Sequence, residues 1–319
     1  MRSKFFALCL GTFLGLGSVA SASTAAVAPQ VRLLVTVDWE GEDLREQNLT
    51  AMQELRRDFP EVPILHFLNA AYFTKASADA NDVAEQIRST LGDHDEHGLH
   101  IHGWKSLFEA AGVKFRPGPT FWDGKDLSAS SCTQECGHEV DISAYSQAEL
   151  AQVMRYSIQT LTHNGFQHPH SFRTGGWMGR PNVLAALQQE GFTLDSSAVP
   201  SNFLKPLLHD TVLYQSVEEI WPHTTEHTQP YFVGSKLWEV PDNAALADYM
   251  PAKTMIKVLQ DHITAVTHGG PSTLVVLGYH QETAAVYIGR IRTLLQFVRD
   301  YNAKNPAVKI VYPTLPLSF

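Results

Sequence analysis

An α/β fold built from repeated parallel strand–helix units is predicted by three observations. Short β-branched runs alternate with helical stretches from residue 31 onward. Several of those runs end abruptly in acids, histidines or an arginine, as strands do when their ends line one cleft. No linker, internal repeat or low-complexity tract divides the chain, and 319 residues at 44% hydrophobic content suffice for one large core. Length alone would also allow two smaller domains.

The first stretch stands apart from that alternation. Arg2 and Lys4 precede the apolar run Phe5 to Leu16, and Ala20-Ser21-Ala22 supplies the small-x-small pattern of a signal-peptidase site. The run is shorter than the roughly 20 residues that span a bilayer, and Gly11, Thr12, Gly15 and Gly17 break it. The expectation is a cleaved export signal over residues 1–22, or to Ala28, and a mature chain that is secreted or periplasmic with no stable membrane insertion. Cleavage removes two positive charges and no acid, so the formal net charge moves from −9 to −11. That balance argues against nucleic acid and anionic membrane surfaces as partners, since both need a basic footprint. A neutral or cationic polymer fits. The sequence sets no oligomeric state.

Strands are expected near 31–37, 63–68, 97–102, 170–174, 193–196, 236–240, 273–279 and 308–312. Helices are expected near 43–58, 79–91, 147–164, 181–190, 252–267 and 284–302. The stripes Val83, Ala84, Ile87, Leu91 and Ile288, Ile291, Leu294, Leu295, Val298 recur at helical spacing and read as core. Two long loop insertions interrupt the pattern. Residues 103–146 carry Phe121-Trp122 and a cysteine pair, and residues 198–235 carry His209, His223 and His227 among prolines and aromatics. Cys132 and Cys136, with His138, supply only three of the four ligands of a structural zinc site. In an exported chain the two thiols are expected to form a small disulfide that pins the loop tip.

The chemistry is read from strand ends. In Val35-Thr36-Val37-Asp38-Trp39-Glu40 the two acids lie at i and i+2, so both leave the strand on one side. His100 and His102 are in phase in the same way, and with Glu40 they make two imidazoles and one carboxylate, a set suited to zinc or a related divalent metal. His94 and His97 are alternative imidazoles, with His97 read as structural. With Glu40 given to the metal, Asp38 is free to take a proton from the attacking water. Arg173 is the natural partner to keep that carboxylate ionised and aligned. His280 closes an apolar strand, placed to protonate a leaving group. Asp195 either orients His280 or another site group, or caps a turn. Asp242 and Asn243 end another strand and are candidates for lining the site. Trp104, Trp122, Trp177 and Trp238 offer sugar-stacking surface or core.

These motifs, in this order, resemble the polysaccharide deacetylases of the NodB-homology type (carbohydrate esterase family 4) over roughly residues 31–319. Asp38 and Glu40 resemble the first motif, and His100 the metal-binding histidine motif. Ser171-Phe172-Arg173-Thr174-Gly175-Gly176-Trp177 resembles the arginine motif, Asp195-Ser196-Ser197 the Asp-Ser motif, and Leu277-Gly278-Tyr279-His280 the final histidine motif. The resemblance implies a distorted (β/α)7 barrel and metal-dependent removal of acetyl groups from N-acetylated sugars. Three departures mark a divergent branch. Trp39 intervenes between the two acids, Trp104 stands four residues after His100 where a second histidine is usual, and Gly175-Gly176 replace a proline. Either His102 serves as the second imidazole or the metal site is incomplete.

The sequence-level assignment is therefore an exported N-deacetylase of an acetamido-sugar polymer. It has Asp38, His280 and Arg173 as catalytic groups, and Glu40, His100 and His102 as metal ligands. Trp177, Asp195 and Asp242 are its substrate contacts. Its rivals are an inactive barrel that binds glycan and an amidohydrolase of small amides.

Overall fold

Alternating strands and helices curl into a barrel. The computed structural model describes residues 29–317 except positions 134, 235 and 306, so the export segment assigned to residues 1–22 or 1–28 lies outside the described residues. In chain order the elements are β1 (Val31–Asp38), α1 (Glu46–Asp58), β2 (Ile64–Leu68), α2 (Ala80–Arg88), β3 (Glu96–Ile101), α3 (Lys105–Ala110), α4 (Gln147–His163), β4 (Ser171–Thr174) and α5 (Pro181–Gln189). There follow β5 (Leu194–Asp195), α6 (Ser201–Leu208), α7 (Val212–Ile220), β6 (Tyr231–Val233), β7 (Leu237–Glu239), α8 (Ala252–Thr267), β8 (Thr273–His280), α9 (Ala284–Lys304) and β9 (Ile310–Val311). The helix starts are written locally. Asp79 caps α2, Ser146 and Glu149 form a reciprocal capping box on α4, and Pro181 occupies the first turn of α5.

The sheet runs β6-β7-β5-β4-β3-β2-β1-β8, with β9 on β1, and only β6–β7 is antiparallel among its pairings. The parallel strands β1, β2, β3, β4, β5, β7 and β8 surround a lumen, and the chain beyond β7 completes the ring against β8. There Ala244 N and Ala247 N donate to Val276 O and Gly278 O at 2.9 and 2.7 Å. Asn243 bridges the same seam, accepting from Val276 N at 2.8 Å and donating to Leu274 O at 2.9 Å. Asn243 therefore closes the barrel instead of lining a site. This is a distorted (β/α)7 barrel.

Alternation along β1 separates two cores. Leu33, Val35 and Val37 face the helices, whereas Leu34 joins Leu65, Phe67, Leu194, Val240, Leu274 and Val276 in the lumen. Parallel register then sets the strand ends side by side. Asp38 pairs with His280, His100 with Arg173, and Asp195 with both Phe172 and Glu239.

The second insertion differs from the expected loop. Residues 198–235 contain α6, α7 and β6, because Leu204, Leu208, Leu213 and Val217 recur at helical spacing and are buried on the core. Its prolines masked that period: Pro200 sits at the start of α6 and Pro206 within it. The first insertion holds the short α3, and Cys132 and Cys136 form the expected disulfide, their Cα atoms 5.2 Å apart. Among the described residues no helix is long and apolar enough to cross a membrane.

Candidate active site

The end of β1 is held from both sides. Trp39 points outward, fully buried, and its indole Nε1 donates to His66 Nδ1 at 3.2 Å. With Nδ1 accepting, His66 donates from Nε2 to Asp95 Oδ2, 3.0 Å away. Burial first, and the charge of Arg56 in a smaller part, hold His66 below its usual pKa against the pull of Asp95. A tryptophan between the acids thus anchors the strand to the outer layer while Asp38 and Glu40 face the lumen and cleft. Beyond it, Asn69 Nδ2 and Trp104 Nε1 both donate to Glu40 O, at 3.0 and 2.7 Å, and Glu40 N donates to Glu282 Oε2 at 3.1 Å. Trp104 is buried as a clamp on the Glu40 backbone and offers no sugar-stacking face.

The Glu40 carboxylate is the centre of the site. His102 Nε2 and His138 Nε2 lie 2.8 and 2.7 Å from Oε2, and His100 Nε2 lies 3.1 Å from Oε1. Two of these rings have their tautomer fixed from behind. His100 Nδ1 donates to Arg173 O and His102 Nδ1 donates to His138 O, each at 2.7 Å, so Nε2 is the atom each ring turns to the cleft. Burial opposes ionisation of Glu40. The charges of His102 and His280, with hydrogen bonds from His100 and His102, outweigh it and hold the carboxyl well below its usual range.

Glu40, His102 and His138 bring their donor atoms within 4.8 Å of one another. His100 and His102, the pair expected from sequence, are both at the site, but the third member of this cluster is His138. In sequence, His138 stands out only as a neighbour of the cysteine pair. Its loop reaches the strand end because Gly103 and Gly137 let two backbones touch: a Cβ at Gly137, where φ is +102°, would sit 2.3 Å from Gly103 O. Lys105 N donates to Cys136 O at 2.9 Å beside that contact, and the His138 ring stacks on His102 with centroids 4.1 Å apart. The signal available in the sequence was the missing histidine at position 104, which leaves a ligand to be supplied from elsewhere.

Beside this cluster, Asp38 Oδ1 accepts from Arg173 Nη1 at 2.9 Å. The guanidinium is fully buried, stacks 4.7 Å above Phe67, and also donates to Thr36 Oγ1, Ser196 O and Ser196 Oγ at 2.8–3.0 Å. It does not line the cleft, so Arg173 acts through Asp38 and not on substrate. Asp242 lies below, its Oδ2 3.9 Å from Arg173 Nη1. Burial first, and then the charge of Asp38, push Asp242 up to about 7 against the pull of Arg173.

On the other flank, His280 Nδ1 donates to Asp248 Oδ2 at 3.1 Å, and its Nε2 stands 3.7 Å from Glu40 Oε1. Thr283 Oγ1 donates to the second Asp248 oxygen. Burial disfavours charge on this imidazole, but Asp248 and Glu40 raise it to about 10.

Asp195 orients nothing at His280, which is the part Asp248 plays. Asp195 accepts from Ser197 Oγ at 2.6 Å and pairs with Glu239 deep in the lumen, where burial raises both carboxyls, Asp195 to about 6. Asp195 and Asp242 are both fully buried and line no part of the cleft, so neither is placed to touch substrate. Trp177 does line it, as does the half-exposed Trp122, whereas Trp238 stacks on Phe232 at 3.9 Å, away from the site.

The cleft encloses about 210 Å³. One wall carries the carboxylates and imidazoles, the other Phe121, Trp122, Trp177, Leu213 and Tyr249. Among the described residues no lysine or arginine lines it.

No protein-family model matches the chain, and no curated protein sequence does. Solved structures do match. A candidate polysaccharide deacetylase from Mycobacterium smegmatis superposes with a TM-score of 0.50 at 13% identity, covering 90% of this chain and 88% of that one. The chain shares the fold of that structure. A family 4 carbohydrate esterase from Streptomyces lividans, solved with acetate, gives 0.39 at 11% identity over 88% and 91% of the two chains. An allantoinase gives 0.48 at 11% identity over 88% and 87%. At 13% identity the first of these likenesses is one of fold.

Proposed function

We propose that the chain is an exported, metal-dependent hydrolase that removes the acetyl group from the nitrogen of an acetamido sugar. The observation that carries this reading is the Glu40 carboxylate ringed by imidazole Nε2 atoms, with an arginine-held carboxylate on one flank and a carboxylate-held imidazole on the other. Two imidazole nitrogens and a carboxylate oxygen fit zinc or a related divalent ion, and the carbonyl-fixed tautomer of His102 is the one a ligand needs. Glu40, His102 and His138 would hold the ion, with His100 orienting Glu40 from its other oxygen. When bound, the ion supplies a Lewis acid that polarises a carbonyl and eases deprotonation of water.

The chain's own residues do the rest. Arg173 holds Asp38 Oδ1, which leaves Oδ2 to accept the proton of the attacking water. Asp248 fixes the His280 ring through Nδ1, so that Nε2 gives its proton to the amine as the C–N bond breaks. Acetate and the free amine leave. A cleft without lysine or arginine suits a neutral sugar, and the small apolar wall suits its C–H face and acetyl methyl. Export rests on the features of residues 1–22. The rival of an inactive glycan-binding barrel depended on Trp104 depriving the site of a ligand, and His138 offers the missing donor.

The test is elemental analysis of the purified mature chain, with acetate release measured on N-acetylated mono-, oligo- and polysaccharides. Stoichiometric divalent metal with release from one of them is expected. A chain that takes up no divalent ion, or releases no acetate from any of them, overturns the reading. Within it, His138→Ala and His102→Ala should each lose most of the bound ion, whereas His100→Ala should weaken affinity by about 10–100-fold and still fill at excess metal. Full metal retained by His138→Ala would return the third ligand to His100.

A further inference from the structure

The geometry points to a substrate that enters as a chain end or a short molecule, not as a sugar inside a polymer; this rests on the deacetylase reading above and narrows it. The two insertions, separate in sequence, are joined above the cleft. Leu213 N at the start of α7 donates to Phe121 O at 2.5 Å, and Val212 N donates to Trp122 O at 3.2 Å. On its other side the same segment is tied to the His138 loop: Phe121 N donates to Glu139 O at 2.9 Å, and Thr120 bridges Val140. One continuous hydrogen-bonded wall therefore runs from the candidate ligand His138 across Phe121-Trp122 to α7.

The foot of this wall stands on the turn after β4. Gly176 has φ +64°, and a Cβ there would lie 3.3 Å from Leu213 Cδ1 and 3.4 Å from Phe121 Cδ1, so no side chain separates the wall from the strand end. Trp122, 43% exposed, forms the rim. The space enclosed, about 210 Å³, falls below the roughly 300–1,000 Å³ of sites that engulf drug-sized ligands. A sugar inside a polymer carries neighbours on both sides and needs a groove open at two ends. The wall takes one of those ends away, and a terminal residue, or a free mono- or disaccharide, needs only the other. The exposed Trp122 face is then the stacking surface for the second ring of a short oligomer.

The experiment uses the metal-loaded full mature chain with the dimer and the hexamer of β-linked N-acetylglucosamine as probes, the free amines located by fragmentation mass spectrometry. Amines confined to one terminal residue of the hexamer are expected. Trp122→Ala, a change at an exposed rim, should raise KM for the dimer by about tenfold or more with kcat little changed. Free amines at internal residues of the hexamer overturn the inference while leaving the deacetylase reading intact. Should no probe release acetate, the deacetylase reading fails instead, and entry is read from quenching of tryptophan fluorescence. A hexamer bearing bulky caps on both termini should then bind at least about tenfold more weakly than the uncapped one, and equal binding of the two overturns the end-entry inference.

Discussion

Asp38→Asn should keep its metal and lose about 10²–10⁴-fold in acetate release, the usual contribution of a positioned general base. The separation follows from where the two acids of one strand end point. Glu40 is surrounded by His100, His102, His138 and His280, whereas Asp38 is turned to Arg173 and takes no part in that ring. Asparagine preserves the Oδ1 that accepts from Arg173 and removes only the carboxylate's capacity to accept a proton. Glu40→Gln should lose ion and activity together, because its oxygens face three imidazole nitrogens at 2.7–3.1 Å. Metal stoichiometry and single-turnover acetate release on both variants decide the matter. Near-normal turnover by Asp38→Asn would remove Asp38 as the base and end the mechanism proposed here.

Much of this arrangement was legible because it depends on period. Asp38 and Glu40, like His100 and His102, sit two apart on strands, and a period of two alone sends each pair into the cleft. The barrel was legible for the same reason, since runs such as Thr273–His280 are apolar on both faces and alternate with helical stripes. What stayed hidden depends on tertiary contact. His138 reaches Glu40 from 98 residues away through a glycine–glycine approach that no local pattern encodes. Asp248 follows a left-handed turn at Ala245, φ +54°, in a segment that reads as featureless until it is seen to complete the barrel on β8. Asp195 misled because a carboxylate at a strand end looks functional, whereas here the strand is two residues long and its end is still inside the lumen.

Arg173→Met should destabilise the fold and disable the site at once, by about 3–5 kcal/mol of unfolding free energy if the loss follows that of other broken buried pairs. The guanidinium is fully buried and donates to Asp38 Oδ1, Thr36 Oγ1, Ser196 O and Ser196 Oγ, so its removal leaves the inner carboxylate oxygen and Ser196 O without that donor, while the two hydroxyls keep Leu277 O and Val240 O. It also deprives Asp242 of its nearest cation, 3.9 Å away, in a lumen already crowded by Asp195 and Glu239. Methionine matches the stem over Phe67 but offers no donor. Arg173→Lys separates the two roles. An ammonium keeps the charge yet cannot reach Asp38 and Ser196 in the fixed fork that the guanidinium spans, so it should recover much of the stability and little of kcat, with KM nearly unchanged. Denaturant unfolding beside kcat and KM for the three chains checks this. A purely structural arginine would let stability and kcat recover together in Arg173→Lys. A wild-type unfolding midpoint in Arg173→Met would show that the buried pair is not what holds the strand ends in register.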